Sequence, residues 1–249
     1  MTASRDKIRI AAVGDLHCPK TSDVLLRTIF DYVNEEAEIL LLCGDLTDYG
    51  KPEEASALGK LLSGVRIPML GVLGNHDYES GKPEDIRRIM CEAGVVMLDG
   101  EARVIHDIGF AGAKGFAGGF GDRALQPWGE EALKQFVRES VDEAMKLESA
   151  LAKVEVPRRI ALMHYAPIAE TTRGEAPEIV PFLGSSRLQD ALSRFPVIAA
   201  FHGHAHHGSP EGHTKDHIPI YNVALPLLQR TFPNRPPVRI LEVPCPGLT

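Results

Sequence analysis

Three short stretches of sequence decide the fold: Gly14-Asp15-Leu16-His17, Gly44-Asp45-Leu46-Thr47-Asp48 and Gly74-Asn75-His76-Asp77. Each follows an apolar run that is typical of a buried strand, at residues 8–13, 39–43 and 69–73. Asp45 lies 45 − 15 = 30 positions after Asp15, and Asn75 lies 75 − 45 = 30 positions after Asp45, the length of one βα unit. Because the carboxyl ends of parallel strands meet at one edge of a sheet, we expect these polar side chains to lie together.

The remaining pattern predicts an α/β fold with two packed sheets. Helical periodicity is expected at residues 23–36, 52–62, 83–92, 129–153 and 186–194. Further strands are expected at residues 95–98, 103–113, 160–163, 197–201, 218–223 and 238–243. The β-α alternation in the first part of the chain implies a parallel sheet with right-handed crossovers. The later, strand-rich part suits a second sheet, with helices covering both.

Length and charge limit the function classes. The chain has 249 residues, of which 44% are hydrophobic, which suits a globular protein with a sizeable core. It contains no internal repeat or linker-like stretch, so we expect one domain over residues 1–249. The formal net charge of −7 disfavours a nucleic-acid partner. An anionic substrate stays compatible with it, because bound cations reverse the local field.

Cysteine usage and the N-terminal segment predict the compartment. The chain has four cysteines, which form no C-x-x-C pair and resemble no disulfide or zinc framework: Cys18, Cys43, Cys91 and Cys245. We therefore expect reduced thiols in a cytoplasmic protein. The first residues run directly into a strand pattern without a signal peptide, and no apolar run approaches the length of a membrane span. No membrane partner is expected.

Two more polar blocks follow later strands, Met163-His164-Tyr165 and Phe201-His202-Gly203-His204-Ala205-His206. Singly, each block has an ordinary explanation. A Gly-Asp pair after a strand is usually a turn or helix cap, and a lone histidine such as His164 is more often a hydrogen-bonded core residue. The histidine run could be a solvated loop or an unrelated zinc site. The ordered occurrence of all five blocks at strand ends favours a metal site with nitrogen and oxygen ligands, which suits Mn, Fe, Zn or Co.

The blocks GDLH, GDLTD, GNHD, a strand-end histidine and GHAH resemble the signature of the calcineurin-like metallophosphoesterases, from Asp15 to His206. The resemblance implies a four-layer α-β-β-α sandwich, in which two mixed β-sheets are flanked by helices. It implies one metal ion with four ligands: Asp15, His17, Asp45 and His206. It implies a second ion, also with four: Asp45, Asn75, His164 and His204. His76 would face the leaving group, and Asp48 would be its hydrogen-bond partner.

The same resemblance implies a phosphoester hydrolase with two bound ions of Mn, Fe or Zn. A carboxylate shared by two cations holds them roughly 3.5–4 Å apart, and a water between them becomes hydroxide that attacks phosphorus in line. Tyr49 and Asp77 stand where the family's protein phosphatases usually carry Arg and Glu, which counts against a protein substrate. Residues 44–54 are more similar to bacterial phosphodiesterases of the cyclic-nucleotide type. We therefore expect a phosphodiesterase acting on a small nucleotide-like substrate.

Several alternatives stay open on the sequence alone. The enzyme could be a phosphomonoesterase or dinucleotide hydrolase of the same fold, or the chain could be a non-catalytic metal-binding scaffold. The glycine-rich residues 114–121 are expected to form a mobile rim over the cleft or a plain surface loop, and residues 226–237 a surface loop. Asp77 either supports the metal ligands or forms a turn. His202 is either a substrate contact or a buried strand residue.

Overall fold

The computed structural model describes residues 6–245, which contain two mixed β-sheets. The strands are β1 (Lys7–Val13), β2 (Ile39–Cys43), β3 (Met69–Val72), β4 (Val95–Met97), β5 (Glu101–Ile105), β6 (Ile108–Gly112), β7 (Arg159–Leu162), β8 (Val197–His202), β9 (Glu211–His213), β10 (Pro219–Asn222) and β11 (Arg239–Pro244). The first sheet has the order β11-β1-β2-β3-β4 and the second β5-β6-β7-β8-β10-β9. In each, a parallel centre is bounded by antiparallel pairing, through β11 in the first and through β5 and β9 in the second.

Helices flank the two sheets, as predicted. They are α1 (Asp23–Glu36), α2 (Pro52–Leu62), α3 (Pro83–Glu92), α4 (Glu131–Ala152), α5 (Ser186–Leu192) and α6 (Leu225–Thr231). The first three are crossovers of the first sheet, and Leu26, Leu58 and Ile86 bury their side chains in its core. Leu147 of α4 and Leu188 of α5 belong to a second core that covers the other sheet. Within residues 6–245, no helix combines the length and hydrophobicity of a membrane span.

Strand β7 shows how the layers stack. Ile160 and Leu162 belong to the core that includes the first sheet, whereas Ala161 and Met163 belong to the core under α4 and α5. Successive side chains of a strand point to opposite faces, so one face of the second sheet packs on the first sheet and the other on helices. Both faces are buried, which explains why this strand is continuously apolar in sequence.

Three local predictions need correction. The predicted strand at residues 103–113 is a hairpin, in which His106 and Asp107 turn the chain with φ of 51° and 57°. Two positive φ values in a hairpin turn normally favour Asn-Gly, and the His-Asp pair found here does not predict such a turn. The first half of the predicted loop at residues 226–237 belongs to helix α6 (Leu225–Thr231). The proline in its first turn does not prevent a helix, because the first turn tolerates proline. The three-residue strand β9 was not predicted.

Main-chain hydrogen bonds continue past the strand ends and join the loops that follow. The amide of Asp15 donates to Gly44 O at 2.9 Å, and that of His17 donates to Asp45 O at 3.0 Å. In the second sheet, the amide of Gly203 donates to His164 O at 3.1 Å. The loops after β1, β2, β7 and β8 are therefore fixed to one another at the same edge.

Asp77 ties the loop after β3 to the loop after β2. Its fully buried carboxylate accepts hydrogen bonds from the amides of Leu46 at 3.2 Å, Thr47 at 2.9 Å and Gly74 at 2.8 Å. It also accepts the Thr47 hydroxyl at 2.6 Å. Of the two roles that the sequence left open for Asp77, the structure supports that of holding neighbouring loops in position.

Replacing Asp77 with alanine is expected to lower the free energy of unfolding by at least about 3 kcal/mol, because each buried donor left unpaired costs about 1–3 kcal/mol. The exposed Asp142 of α4 provides a matched control, and Asp142→Ala is expected to stay within about 0.5 kcal/mol of the wild type. Urea unfolding with EDTA present measures both variants without a contribution from bound metal. Equal stability of the two would contradict the role of Asp77.

Candidate active site

The side chains predicted at the five strand ends meet at one edge of the two sheets. All nine predicted site residues lie in one connected set of contacts: Asp15, His17, Asp45, Asp48, Asn75, His76, His164, His204 and His206. The residues come from both sheets. The packing of one sheet on the other is therefore what assembles the set.

Asp15, His17 and His206 form a first cluster, in which one donor atom of each lies within 4.8 Å of the others. His206 Nε2 lies 2.8 Å from Asp15 Oδ1, and the rings of His17 and His206 are 5.5 Å apart. Asp15 also accepts the main-chain amide of His204, at 3.1 Å and 3.0 Å from its two oxygens. Asp15 thus fixes the turn that carries the two later histidines.

Asp45, His164 and His204 form a second cluster of the same kind. The rings of His164 and His204 are 4.8 Å apart. Asn75 joins this cluster, because its Oδ1 lies 2.9 Å from His164 Nε2. The grouping of residues is the one that the sequence predicted for the second ion.

Asp45 lies between the two clusters. Its Oδ2 is 3.8 Å from His17 Nε2, and its Oδ1 is 3.3 Å from His164 Nε2. The amide of His76 donates to Asp45 Oδ1 at 2.9 Å, which fixes the carboxylate from the loop after β3. With 1% of its surface exposed, Asp45 is held in a single buried position.

The backbone around these ligands is strained. Four non-glycine residues have a positive φ: Asp15 (56°), His17 (42°), Asp45 (48°) and His204 (67°). Such conformations cost roughly 1–2 kcal/mol per residue and are concentrated at functional sites. Two glycines permit the close approach of the loops, since a Cβ on Gly74 would lie 2.2 Å from Asp45 Oδ1 and one on Gly203 2.2 Å from Asp15 Oδ2.

The electrostatics of the site favour a cation. Burial by itself would raise the pKa of Asp15 and Asp45, but the neighbouring histidines outweigh it and the pKa of both carboxyl groups is lowered. Burial opposes a charge on His164, yet the Asp45 carboxylate raises the pKa of His164 to about 9. Burial, together with the positive charge of His164, lowers the pKa of His204 to about 3.

The imidazole nitrogens are arranged as metal ligands require. His164 Nδ1 donates to the main-chain oxygen of Cys43 at 3.0 Å, and His204 Nε2 donates to that of Phe182 at 3.3 Å. These hydrogen bonds leave the second nitrogen of each ring for coordination, the usual arrangement of a metal-binding histidine.

His17 supplies the clearest test of fit for a metal ion. Both of its ring nitrogens are buried and make no hydrogen bond among residues 6–245. Nδ1 lies 3.2 Å from Asp48 Oδ1, without the geometry of a hydrogen bond. Buried polar atoms are nearly always paired, so these nitrogens suggest an absent partner. The mixed nitrogen and oxygen donors fit Mn, Fe or Zn.

His76 and Asp48 are in contact, but not through the side chain of Asp48. His76 Nδ1 donates to the main-chain oxygen of Asp48 at 2.7 Å. The Asp48 carboxylate faces His17 Nδ1 and lies 3.7 Å from Lys20 Nζ. The predicted partnership is therefore present as a main-chain contact that orients the His76 ring, and Nε2 makes no hydrogen bond within residues 6–245.

One open prediction for a nearby residue is resolved, and one further residue comes to light. His202 is a core residue: it is fully buried, and its nitrogens bond Gly203 O at 2.8 Å and Thr171 Oγ1 at 2.8 Å. Sequence analysis missed Arg230 of α6, whose guanidinium contacts the main-chain oxygen of His206. No sequence signal indicated this contact, because the segment was predicted as a loop.

The glycine-rich residues 114–121 are not a surface loop. Lys114 and Ala117 are buried, and the amides of Gly118 and Gly119 donate to Pro181 O and Gly184 O, both at 2.9 Å. The amide of Gly115 donates to a carboxylate oxygen of Glu143 at 2.8 Å. The segment is thus a packed wall beside the clusters.

Known proteins with this architecture share the fold. Phosphopantetheinyl hydrolase from Mycobacterium tuberculosis is similar, with a TM-score of 0.68 and 14% identity over 98% of each chain. A Thermus thermophilus protein has a TM-score of 0.54 and 13% identity, over 96% of this chain and 99% of its own. The anchor in the inner membrane complex of Plasmodium has a TM-score of 0.55 and 12% identity, over 89% of this chain and 73% of its own. Identities this low establish the fold alone.

No curated protein sequence matches the chain. The family model for calcineurin-like phosphoesterases, however, matches residues 8–208, a range that contains all nine site residues. Since that model spans most of the sequence and the clusters of possible metal ligands lie within it, the protein belongs to the calcineurin-like phosphoesterase family and is a metal-dependent phosphoesterase.

Proposed function

We propose that the protein hydrolyses a small nucleotide-like phosphodiester with two metal ions, one on each side of Asp45. The supporting observation is the orientation of the Asp45 carboxylate, whose two oxygens face His17 and His164 in different clusters. A bridging ligand needs this orientation. The first ion would take Asp15, His17, Asp45 and His206. The second would take Asp45, Asn75, His164 and His204.

Ions of Mn, Fe or Zn would supply a water of lowered pKa and positive charge for the phosphate oxygens. The contribution of the chain is a preorganised set of ligands. Asp15 is held by the amide of His204, and Asp45 by the amide of His76. Groups that are already oriented need little rearrangement as charge develops on the phosphate, which lowers the barrier to reaction.

His76 is the group we assign to the leaving oxygen. Its Nδ1 donates a hydrogen bond to the main-chain oxygen of Asp48, and its ring lies 4.6 Å from that of His17. Within residues 6–245, no hydrogen bond involves Nε2, so this nitrogen can face a substrate. The side chain is half-buried, which allows a substrate to reach it. From this position His76 can donate a proton to the departing alkoxide, a contribution of about 10²–10⁴ in rate.

The charges of the site favour a diester. A phosphodiester carries a single negative charge, whereas a phosphomonoester carries about −1.5 to −2 near neutral pH. Among the described residues, Lys20 lies near the clusters, 3.7 Å from Asp48, but no arginine forms an ion pair with Asp15, Asp45 or Asp48. Beyond the ions, the fixed cations near the clusters are few, and the Arg230 guanidinium is already bonded to the main-chain oxygen of His206, which suits the single charge of a diester.

Hydrolysis of two chromogenic esters tests the function. With added Mn²⁺, bis-p-nitrophenyl phosphate is expected to show a higher kcat/KM than p-nitrophenyl phosphate, and EDTA treatment is expected to abolish both activities. Cyclic nucleotides, dinucleotides and phosphomonoesters then define the substrate. Faster hydrolysis of the monoester would contradict the diester preference. No turnover of any ester with two ions bound would favour a scaffold instead of an enzyme.

The bridging role of Asp45 predicts a particular metal stoichiometry. Asp45→Asn is expected to lose both ions, because it removes a charge shared by the two clusters. His206 belongs to the first cluster alone, so His206→Gln is expected to retain about one ion per chain. Elemental analysis after Mn²⁺ loading and desalting measures both. Two ions in Asp45→Asn, or equal losses in the two variants, would argue against the bridge.

His76→Ala should keep two ions and lower kcat by about 10²–10⁴, since a proton donor for the leaving group is removed and no ligand is lost. The loss should be larger for an alkyl ester than for a p-nitrophenyl ester, because p-nitrophenolate departs without a proton. The exposed His213 provides the control variant, His213→Ala. An unchanged kcat in His76→Ala on the alkyl ester would refute the assignment.

A further inference from the structure

A cavity of about 300 Å³ lies beside Asn75. It is lined by Asn75, Tyr78, Lys114, Phe116, Glu139 and Tyr165. Its volume is at the lower end of the range for sites that bind small molecules. Of its six lining residues, only Asn75 has a part in the chemistry described so far.

The cavity adjoins the metal clusters. Asn75 lines it and also lies 2.9 Å from His164 Nε2 through its amide oxygen. The ring of Tyr165 is 4.5 Å from that of His204 and 5.5 Å from that of His164. A substituent on a phosphate bound at the clusters can therefore enter the cavity directly.

The walls of the cavity are aromatic. Phe116 and Tyr165 have ring centroids 5.7 Å apart at an interplanar angle of 50°, and Tyr78 closes the cavity with 38% of its surface exposed. Lys114 Nζ lies over these rings and Phe116 also packs on Phe136 at 5.0 Å, so the exposed part of Tyr78 is the most accessible aromatic surface. Flat aromatic faces bind planar heterocycles by stacking. The shape and chemistry of these walls thus favour a planar ring over a flexible chain.

Lys114 adds a polar group to these walls. Its Nζ lies 4.8–5.5 Å from the centroids of Tyr78, Phe116 and Tyr165. The ammonium carries three donors, of which one is used by Gly115 O at 2.9 Å, and the Glu139 carboxylate is too distant for a hydrogen bond, at 3.9 Å. The other donors are available to an acceptor atom on a ligand.

We propose that this cavity is a nucleobase pocket, in which a base of the substrate stacks on Tyr78 and Phe116 and accepts a hydrogen bond from Lys114. The assignment rests on the proposed function, because the phosphate has to bind at the aspartate and histidine clusters. A second phosphate is a poorer occupant, since the carboxylate of Glu139 lines the same cavity and offsets the positive charge of Lys114, 3.9 Å away.

Calorimetric titration of the Mn²⁺-loaded protein tests the pocket with three ligands: inorganic phosphate, ribose 5-phosphate and adenosine 5′-monophosphate. The Kd of ribose 5-phosphate is expected to exceed that of the nucleotide by about tenfold or more, the effect of one stacked base. Tyr78→Ala and Phe116→Leu should each reduce this ratio toward one. Trp128→Ala is the control, because Trp128 is exposed and does not line the cavity.

The outcomes separate the two proposals. If phosphate binds but the wild-type ratio is close to one, or if the ratio survives in Tyr78→Ala and Phe116→Leu, the nucleobase pocket is wrong and the proposed function stands. If inorganic phosphate fails to bind to protein that holds two ions, both are wrong. The variant Lys114→Met provides a further test, in which pyrophosphate is titrated beside the nucleotide. A larger loss of affinity for pyrophosphate than for the nucleotide would assign the cavity to an anionic group and overturn the proposal.

Discussion

The hydrogen bonds that connect loops beyond the strand ends are the constraint on which the site depends. Gly14 N bonds Val223 O at 2.8 Å, linking the first sheet to the second, and Gly203 N bonds His164 O at 3.1 Å. These contacts keep the two sheets in register at the edge where Asp15 has to meet His206. The ligands are therefore positioned by the main chain, and side-chain rotation alone could not assemble or disperse them.

This positioning costs stability. Four ligands, Asp15, His17, Asp45 and His204, adopt left-handed backbone conformations, and two carboxylates are buried beside one another. The rest of the molecule offsets this loss of stability, because strands β1, β2 and β7 bury apolar side chains on both faces. A bound cation would relieve part of it, because it would neutralise the carboxylates and could bind one of the two unpaired ring nitrogens of His17. The site is thus strained in a way that favours metal binding.

Much of this arrangement could be predicted from sequence. Repeated βα spacing brings the carboxyl ends of the strands to the same edge of the sheet, and this does not depend on the side chains between them. The spacing of Asp15, Asp45 and Asn75 was sufficient to predict their convergence. The contact between His76 and Asp48 was predicted between residues but not between particular atoms, since periodicity does not indicate which way a loop carboxylate points. Helix α6 and the burial of residues 114–121 depend on tertiary packing that has no local pattern.

The residues expected to bind metal are therefore easier to recognise in this sequence than the residues expected to select the substrate. The residues expected to bind metal are small polar groups at strand ends, where geometry is set by the fold and the motif is short. The walls of the proposed nucleobase pocket come from a turn after β3, the segment after β6 and the exposed face of α4, contributed by Tyr78, Phe116 and Glu139. Such residues meet only after the second sheet has packed on the first. Belonging to the family consequently defines the reaction, whereas the substrate has to be inferred from the three-dimensional surroundings of Asn75.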